Sequence, residues 1–254
     1  MTNKNGSLPN PFPGHVQVTT TTTVSTNIPK YKFKKAGTNG NLIAVVLDES
    51  GSMNICRDTT IAGFNEFVQG QRDAANAGIG YLTLNKFEGG NIRTVFTDRP
   101  LSEVPKLDHA GFTPAGGTNL LDAIGHTIEQ VNSSLDKLKK KDRPGVIVLI
   151  MTDGEENCSR KYNNDMVKAM VAAAEKADWS FVFLGANIDA FSVGATFGMN
   201  ALNSVNYSTA NMTATMAATS TMTTNMRSAK LAGLDTHAVY ASTSMSKEDR
   251  ERIK

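Results

Sequence analysis

Leu42-Ile43-Ala44-Val45-Val46-Leu47-Asp48-Glu49-Ser50-Gly51-Ser52 is the stretch from which the rest of this chain can be read. Its first six residues are apolar without alternation, as expected for a strand covered on both faces, and such strands build parallel sheets. The run stops at a carboxylate, and the loop that follows is tight enough to need Gly51. The same construction recurs downstream. Val146 to Met151 is again wholly apolar and is followed by Thr152-Asp153-Gly154.

Between and beyond these two runs, strand and helix patterns alternate. Residues 58–77 carry Ile61, Phe64 and Val68 at helical spacing. Tyr81–Phe87 and Ile92–Phe96 flank Gly89-Gly90 and predict a β-hairpin. After the Gly/Pro-rich segment Gly111–Gly117, Leu121, Ile124, Ile128, Val131, Leu135 and Leu138 repeat every three or four residues. Lys137 and Lys139–Lys141 are then expected at the carboxyl end of that helix, where cations suit its dipole. A helix over 161–177, the strand Trp179–Leu184, a helix near 188–197 and a short strand Ser204–Tyr207 follow. In the segment Ser208–Ala232, Met212, Met216, Met222 and Met226 fall within an arc of about 120°. That stripe predicts a helix packed on the sheet rather than a binding groove. The expected fold class is α/β: a doubly wound, mostly parallel sheet with one antiparallel edge strand and helices on both faces. In such sheets sites form at the carboxyl ends of strands, where Asp48 and Asp153 stand.

Composition bounds the rest. Of 254 residues, 40% are hydrophobic and 20% charged, with a formal net charge of +2, which is ordinary for a globular protein and calls for neither nucleic acid nor membrane as partner. A basic run, Lys30, Lys32, Lys34 and Lys35, lies near the start. Residues 1–40 hold Pro9, Pro11, Pro13, Pro29 and the threonines Thr19–Thr23. They are read as an arm outside the core, flexible or docking on a partner. Within it, His15-Val16-Gln17-Val18 has the composition to add a strand to a sheet edge. Residues 41–232 form the expected domain, and 233–254 a polar tail. The two cysteines, Cys56 and Cys158, do not suffice for a disulfide framework and lack zinc-site spacing. A disulfide between them would distort the site, but two reduced thiols are the simpler expectation. There is no signal-peptide core, and no apolar run nears the ~20 residues of a membrane span, so a cytoplasmic protein is expected.

The chemistry lies in three loops. Asp48-Glu49-Ser50-Gly51-Ser52 reads D-x-S-x-S, alternate oxygen-bearing side chains that can converge on one point. Two hydroxyls and one carboxylate suit a hard cation with six oxygen ligands such as Mg²⁺, not zinc, which prefers His or Cys. Gly116-Gly117-Thr118 adds a hydroxyl before a helix, and Thr152-Asp153-Gly154 adds a carboxylate after a strand. Asp48, Ser50, Ser52, Thr118 and Asp153, in this order, resemble the metal-ion-dependent adhesion site of the von Willebrand factor A (vWA) family, and the likeness extends over residues 41–232. Asp48-Glu49-Ser50-Gly51-Ser52-Met53, Gly63-Phe64-Asn65, Thr118-Asn119-Leu120, Thr152-Asp153-Gly154-Glu155-Glu156-Asn157 and Phe183-Leu184-Gly185-Ala186-Asn187 look like its cytoplasmic bacterial and phage-type members.

The resemblance implies a Rossmann-like vWA fold in which Ser50, Ser52 and Thr118 touch Mg²⁺ (or Mn²⁺) while Asp48 and Asp153 act through water. It implies a non-enzymatic module that captures a Glu or Asp of a protein partner. The rival expectation is a structural component of a larger assembly, such as a phage virion, or an adaptor of a ring ATPase, docked by the arm.

Enzymatic readings fit less well. A dehalogenase-type phosphatase needs an aspartate where Ser50 stands. A serine hydrolase needs a base, and His109 and His126 are expected in a loop and on a solvated helix face. No nucleotide-binding glycine motif occurs. Glu155 and Glu156 are read either as tuning the site's charge or as a solvated turn. Asn187 and Asp189 are expected to cap a helix.

Overall fold

The computed structural model describes residues 40–186, 188–246 and 248–249. The arm expected over residues 1–40 and the strand-prone His15–Val18 thus lie outside the described residues but for Gly40, as does Asn187. Among the described residues six strands form one sheet: β1 (Gly40–Asp48), β2 (Ile79–Glu88), β3 (Asn91–Pro100), β4 (Gly145–Thr152), β5 (Trp179–Ala186) and β6 (Ser204–Tyr207). Their order is β3-β2-β1-β4-β5-β6. Every pairing is parallel except β2 with β3, the hairpin that places one antiparallel strand at an edge. The chain builds outward from β1 through β2 to β3, then returns to the other side of β1 for β4, β5 and β6. The order of strands therefore switches between β1 and β4, where the ends of neighbouring crossovers part and leave a crevice.

Among the described residues six α-helices cover the two faces: α1 (Arg57–Asp73), α2 (Leu120–Leu135), α3 (Asn164–Lys176), α4 (Ala190–Thr196), α5 (Met212–Leu231) and α6 (Thr236–Thr243). Side chains alternate along β1, so Ile43, Val45 and Leu47 enter the core beneath α1, α5 and α6, while Leu42, Ala44 and Val46 enter the one beneath α2, α3 and α4. Both faces being covered, all six of these residues are fully buried. The expected methionine stripe is a core feature: Met212, Met216, Met222 and Met226 all pack in the first core. α1 and α5 approach closely enough that a Cβ on Gly63 would lie 2.7 Å from Met216 Cγ, a contact only glycine allows.

Three expectations need correction. α2 ends at Leu135, so Lys137 and Lys139–Lys141 lie beyond the helix rather than in its last turn, and Leu138 reaches its core from outside the helical repeat. His126 is half-buried, not solvated. Its Nε2 is sheltered without a hydrogen-bond partner, and burial lowers its pKa. The segment after Gly233, read as a polar tail, contains α6. Asp235 caps it by accepting from Ala238 N–H at 2.8 Å, and Val239 and Tyr240 pack into the core. Its four apolar residues, Ala238–Ala241, form one run with no three-four repeat, so the pattern does not announce a helix.

At the amino-terminal edge of the sheet, Arg227 of α5 is 1% exposed and pairs with no carboxylate in its hydrogen bonds. Its guanidinium donates to the Gln71 carbonyl (2.8 Å) and side chain (3.2 Å) and to the Gly78 carbonyl (2.8 Å). Burial pushes its pKa down to about 10. The Gln71 carbonyl belongs to the last turn of α1, whose dipole suits a cation and offsets part of the desolvation.

Candidate metal centre

β1 and β4 deliver their terminal residues side by side at the switch point, since Leu47 pairs with Met151 one residue before Asp48 and Thr152. Asp48 is fully buried. One carboxylate oxygen accepts from Ser50 N–H at 2.7 Å and the other from the Thr152 hydroxyl at 2.6 Å. Burial pushes its pKa up to about 6 against the pull of those hydrogen bonds, and the charge of Asp153 pushes the same way. The loop then turns into a short 3-10 helix, Gly51–Cys56. Ser50 Oγ lies 3.1 Å from Ser52 Oγ, and Ser52 Oγ donates to Asp153 Oδ1 at 2.6 Å. Asp153, half-buried, is also raised by burial, with the Ser52 hydrogen bond opposing.

Thr118 completes the group from the other side. A Cβ placed on Gly154 would lie 3.2 Å from Thr118 Oγ1 and 3.7 Å from Ser52 Oγ, so the bare glycine leaves open the space that both hydroxyls border. All five residues expected at the site therefore come together. Asp48, Ser50, Ser52 and Asp153 are joined through hydrogen bonds, and Thr118 stands across Gly154. The donor set is three hydroxyls and two carboxylates. Among the described residues no group of three or more His, Cys, Asp or Glu is placed to hold a metal. Oxygen donors with little formal charge fit a hard divalent cation and do not fit a thiolate or imidazole metal.

Glu49, the unassigned residue of D-x-S-x-S, fixes the geometry. It is buried, and Lys86 Nζ, equally buried, meets it at 2.7 Å. Arg93 of β3 reaches Oε2 of Glu49 at 3.1 Å, and Thr113 N–H donates at 2.7 Å to Oε1, the oxygen that Lys86 meets. Lys86 also donates to the Gly111 carbonyl. Backbone bonds add to this: Ala115 N–H to Glu49 C=O (2.9 Å), Gly51 N–H to Gly116 C=O (3.0 Å) and Gly89 N–H to Gly117 C=O (2.8 Å). The segment 111–117 that presents Thr118 is thus stapled to the ends of β1, β2 and the hairpin turn. Burial works to raise the Glu49 pKa, but the bonds from Lys86, Thr113 and Arg93 hold it below the usual carboxylate range. On the lysine, burial acts oppositely and lowers the pKa, with Glu49 offsetting part. Two cations and an amide around one carboxylate favour the ionised pair. The sequence signal for this cluster was a lysine, Lys86, between Leu84 and Phe87 in the Tyr81–Phe87 strand pattern.

The Asp153 loop is fastened as firmly. Thr118 N–H donates to Asn157 Oδ1 at 2.8 Å, and Asn157 N–H returns a bond to Thr118 C=O at 2.9 Å. Glu156 accepts from Leu121 N–H at 2.8 Å, in the first turn of α2, and from Ser159 N–H and Oγ. It serves the helix terminus, not the metal centre. Asp122 of α2 takes the N–H groups of Arg160, Lys161 and Tyr162, each at 2.9 Å. His109 pairs with Asp58 at 2.7 Å on the surface, and Asp189 caps α4, as expected of a loop residue and a cap. Cys56 and Cys158 are both free thiols.

No protein-family model and no curated protein sequence matches this chain. Solved structures do. Proximal thread matrix protein 1 from the mussel byssus aligns with a TM-score of 0.52 at 16% identity, covering 71% of this chain and 48% of that one. The fold is of the vWA type. A second structure of the mussel protein, described as having a zinc-occupied metal-ion-dependent adhesion site, aligns at a TM-score of 0.50 and 14% identity over 72% of this chain and 48% of that one. This chain spans about half the length of the mussel protein. At such identity the likeness is one of fold. No helix among the described residues is long and apolar enough to cross a membrane.

Proposed function

We propose that this protein is a divalent-cation-dependent protein-binding module rather than an enzyme, and that Asp48, Ser50, Ser52, Thr118 and Asp153 hold the cation. The observation that carries this reading is the convergence of three hydroxyls and two carboxylates around the uncovered Gly154 at the strand-order switch. A hard oxygen donor set favours Mg²⁺ or Mn²⁺. A cation there supplies an electrophilic point for an oxygen anion. The chain's own residues do the rest. Asp48 and Asp153 orient the serine hydroxyls, and Glu49 with Lys86 fixes the segment that carries Thr118. Because the hydroxyls are neutral, they leave cation charge for a Glu or Asp presented by a partner protein. Among the described residues no histidine hydrogen-bonds Ser50 or Ser52, and His109 is paired with Asp58 instead.

The zinc described in the mussel protein supports the coarser reading of a divalent metal in this kind of site. Its description as a thread matrix protein supports only the coarse form of the second reading, a component of a larger assembly; a virion component or an adaptor beside a ring ATPase is proposed on the sequence resemblance. The proposed subtype is a cytoplasmic bacterial or phage protein, on the motifs around Asp48 and Asp153. The test is Mg²⁺ titration by calorimetry together with partner capture in Mg²⁺ and in EDTA, using wild type and Asp48→Ala. Binding lost in both EDTA and the variant is expected. Capture that survives both refutes the metal-bridged reading and moves attention to residues 1–40.

A further inference from the structure

Beneath the metal centre lies a hydroxyl to which no role has yet been given. Thr152 pairs with Gly185 and Gly185 with Asn206, and one residue further along Ala186 pairs with Tyr207. Asp153, next after Thr152, is thus level with Tyr207, with Ala186 between them. Neighbouring strands lie ~4.8 Å apart, so two spacings separate Asp153 from Tyr207, a gap a tyrosine side chain largely spans. Ala186 has too small a side chain to block the way. Tyr207 is 4% exposed and packs in the same core as Cys56, Met151, Leu184 and Ala186. Its hydroxyl is buried and has no hydrogen-bond partner. Burial raises its pKa, and the groups that raise it further are Cys56, Asp153 and Asp48, which places the phenol among the residues under the site. Cys56 is already engaged, its sulfur 3.6 Å from both the Met53 carbonyl and the Thr60 hydroxyl. Ser52 uses one oxygen of Asp153. A buried hydroxyl without a partner is costly, and it is retained most readily where a partner arrives with a ligand.

We propose that Tyr207 is a positioning residue of the metal centre, its buried hydroxyl bonding to the Asp153 carboxylate, directly or through one water, once a cation occupies the site. The inference rests on the metal reading above. A donor fixed at Asp153 from below holds that carboxylate toward the cation and supports the orientation of Ser52. Residues that orient ligands from behind typically change metal affinity 10–100-fold when removed.

The experiment is Tyr207→Phe in the full chain, with Mg²⁺ and Mn²⁺ affinity measured by calorimetry, melting in EDTA, and the tyrosine difference absorbance induced by Mg²⁺. Because the hydroxyl has no partner without metal, melting in EDTA should match or exceed wild type. Mg²⁺ affinity should fall about tenfold, and the metal-induced difference signal should vanish. Unchanged affinity with an unchanged difference signal overturns the inference, and so does a lowered melting temperature in EDTA, which would reveal a structural partner. If folded wild type binds neither Mg²⁺ nor Mn²⁺, the metal reading itself fails before any Tyr207 variant is compared. Wild-type binding that Ser52→Ala abolishes and Tyr207→Phe leaves intact refutes this inference alone.

Discussion

Replacing Asp48 by Asn should stabilise the metal-free protein while abolishing its response to metal. Burial without a cation raises the Asp48 pKa from 3.8 to about 6. An acid whose pKa is raised on folding binds more protons in the native than in the unfolded state, so stability is greatest below pH ~4 and falls as pH rises through about 6. The two-unit shift corresponds to about 3 kcal/mol of destabilisation at neutral pH. Asparagine removes the charge but presents an amide to either Ser50 N–H or Thr152. Thr152 can yield, because its hydroxyl lies 3.1 Å from the Gly154 carbonyl and can donate there instead. The net gain in EDTA at pH 7.5 is therefore about 2 kcal/mol, or ~4–8 °C in melting temperature for a domain of this size. The assay is thermal melting from pH 4.5 to 8 in EDTA and in Mg²⁺. In EDTA the wild type should lose stability from pH 4.5 to about 6 relative to the variant and then level off, and above pH 6 the variant should melt higher. In Mg²⁺ only the wild type should gain. If Asp48→Asn melts lower than wild type in EDTA at pH 7.5, the carboxylate is not the burden its burial implies, and the reasoning fails.

Gly154→Ala should weaken Mg²⁺ binding at least tenfold while leaving melting in EDTA nearly unchanged, since the added methyl would crowd Thr118 Oγ1 at 3.2 Å in the space between the hydroxyls. Calorimetry giving wild-type affinity would refute it. Lys86→Met should cost about 3 kcal/mol in urea unfolding, because Glu49 stays buried with only the half-exposed Arg93 as cation. Adding Glu49→Gln should recover part of that loss, and a double variant no better than the single would disprove the pairing argument. Met216→Ala should cost about 2–5 kcal/mol by opening a cavity between α1 and α5. A loss under 1 kcal/mol would mean the helices close over the gap.

Periodicity served best where burial is complete on both faces. The apolar runs of β1 and β4 were legible because every position is covered, and the helical spacing of Ile61, Phe64 and Val68 announced α1. Boundaries were harder to read. Nothing in Lys137–Lys141 says that α2 has already stopped, since a helix end depends on where the chain must turn to reach β4. α6 escaped because its core contacts, Val239 and Tyr240, are adjacent in one short apolar run, Ala238–Ala241, and show no helical repeat. The five residues of the candidate site could be named from the sequence because the local loops that carry them have distinctive patterns.

What the sequence alone determined is the local chemistry: two fully apolar strands each ending in an aspartate, serines alternating along a glycine-bearing loop, and a threonine before a helix. Which of these groups meet was decided by the tertiary structure. Ser52 and Asp153 are 101 residues apart and touch at 2.6 Å only because β1 and β4 pair in parallel with Leu47 opposite Met151. Glu49 just past β1, Lys86 of β2 and Arg93 of β3 likewise form a cluster only through the sheet's register, which also sets the level that Tyr207 shares with Asp153. Strand register has a period of two and no local signature of its own. It is set by the packing of the whole sheet, so contacts that depend on it are settled only when the chain folds.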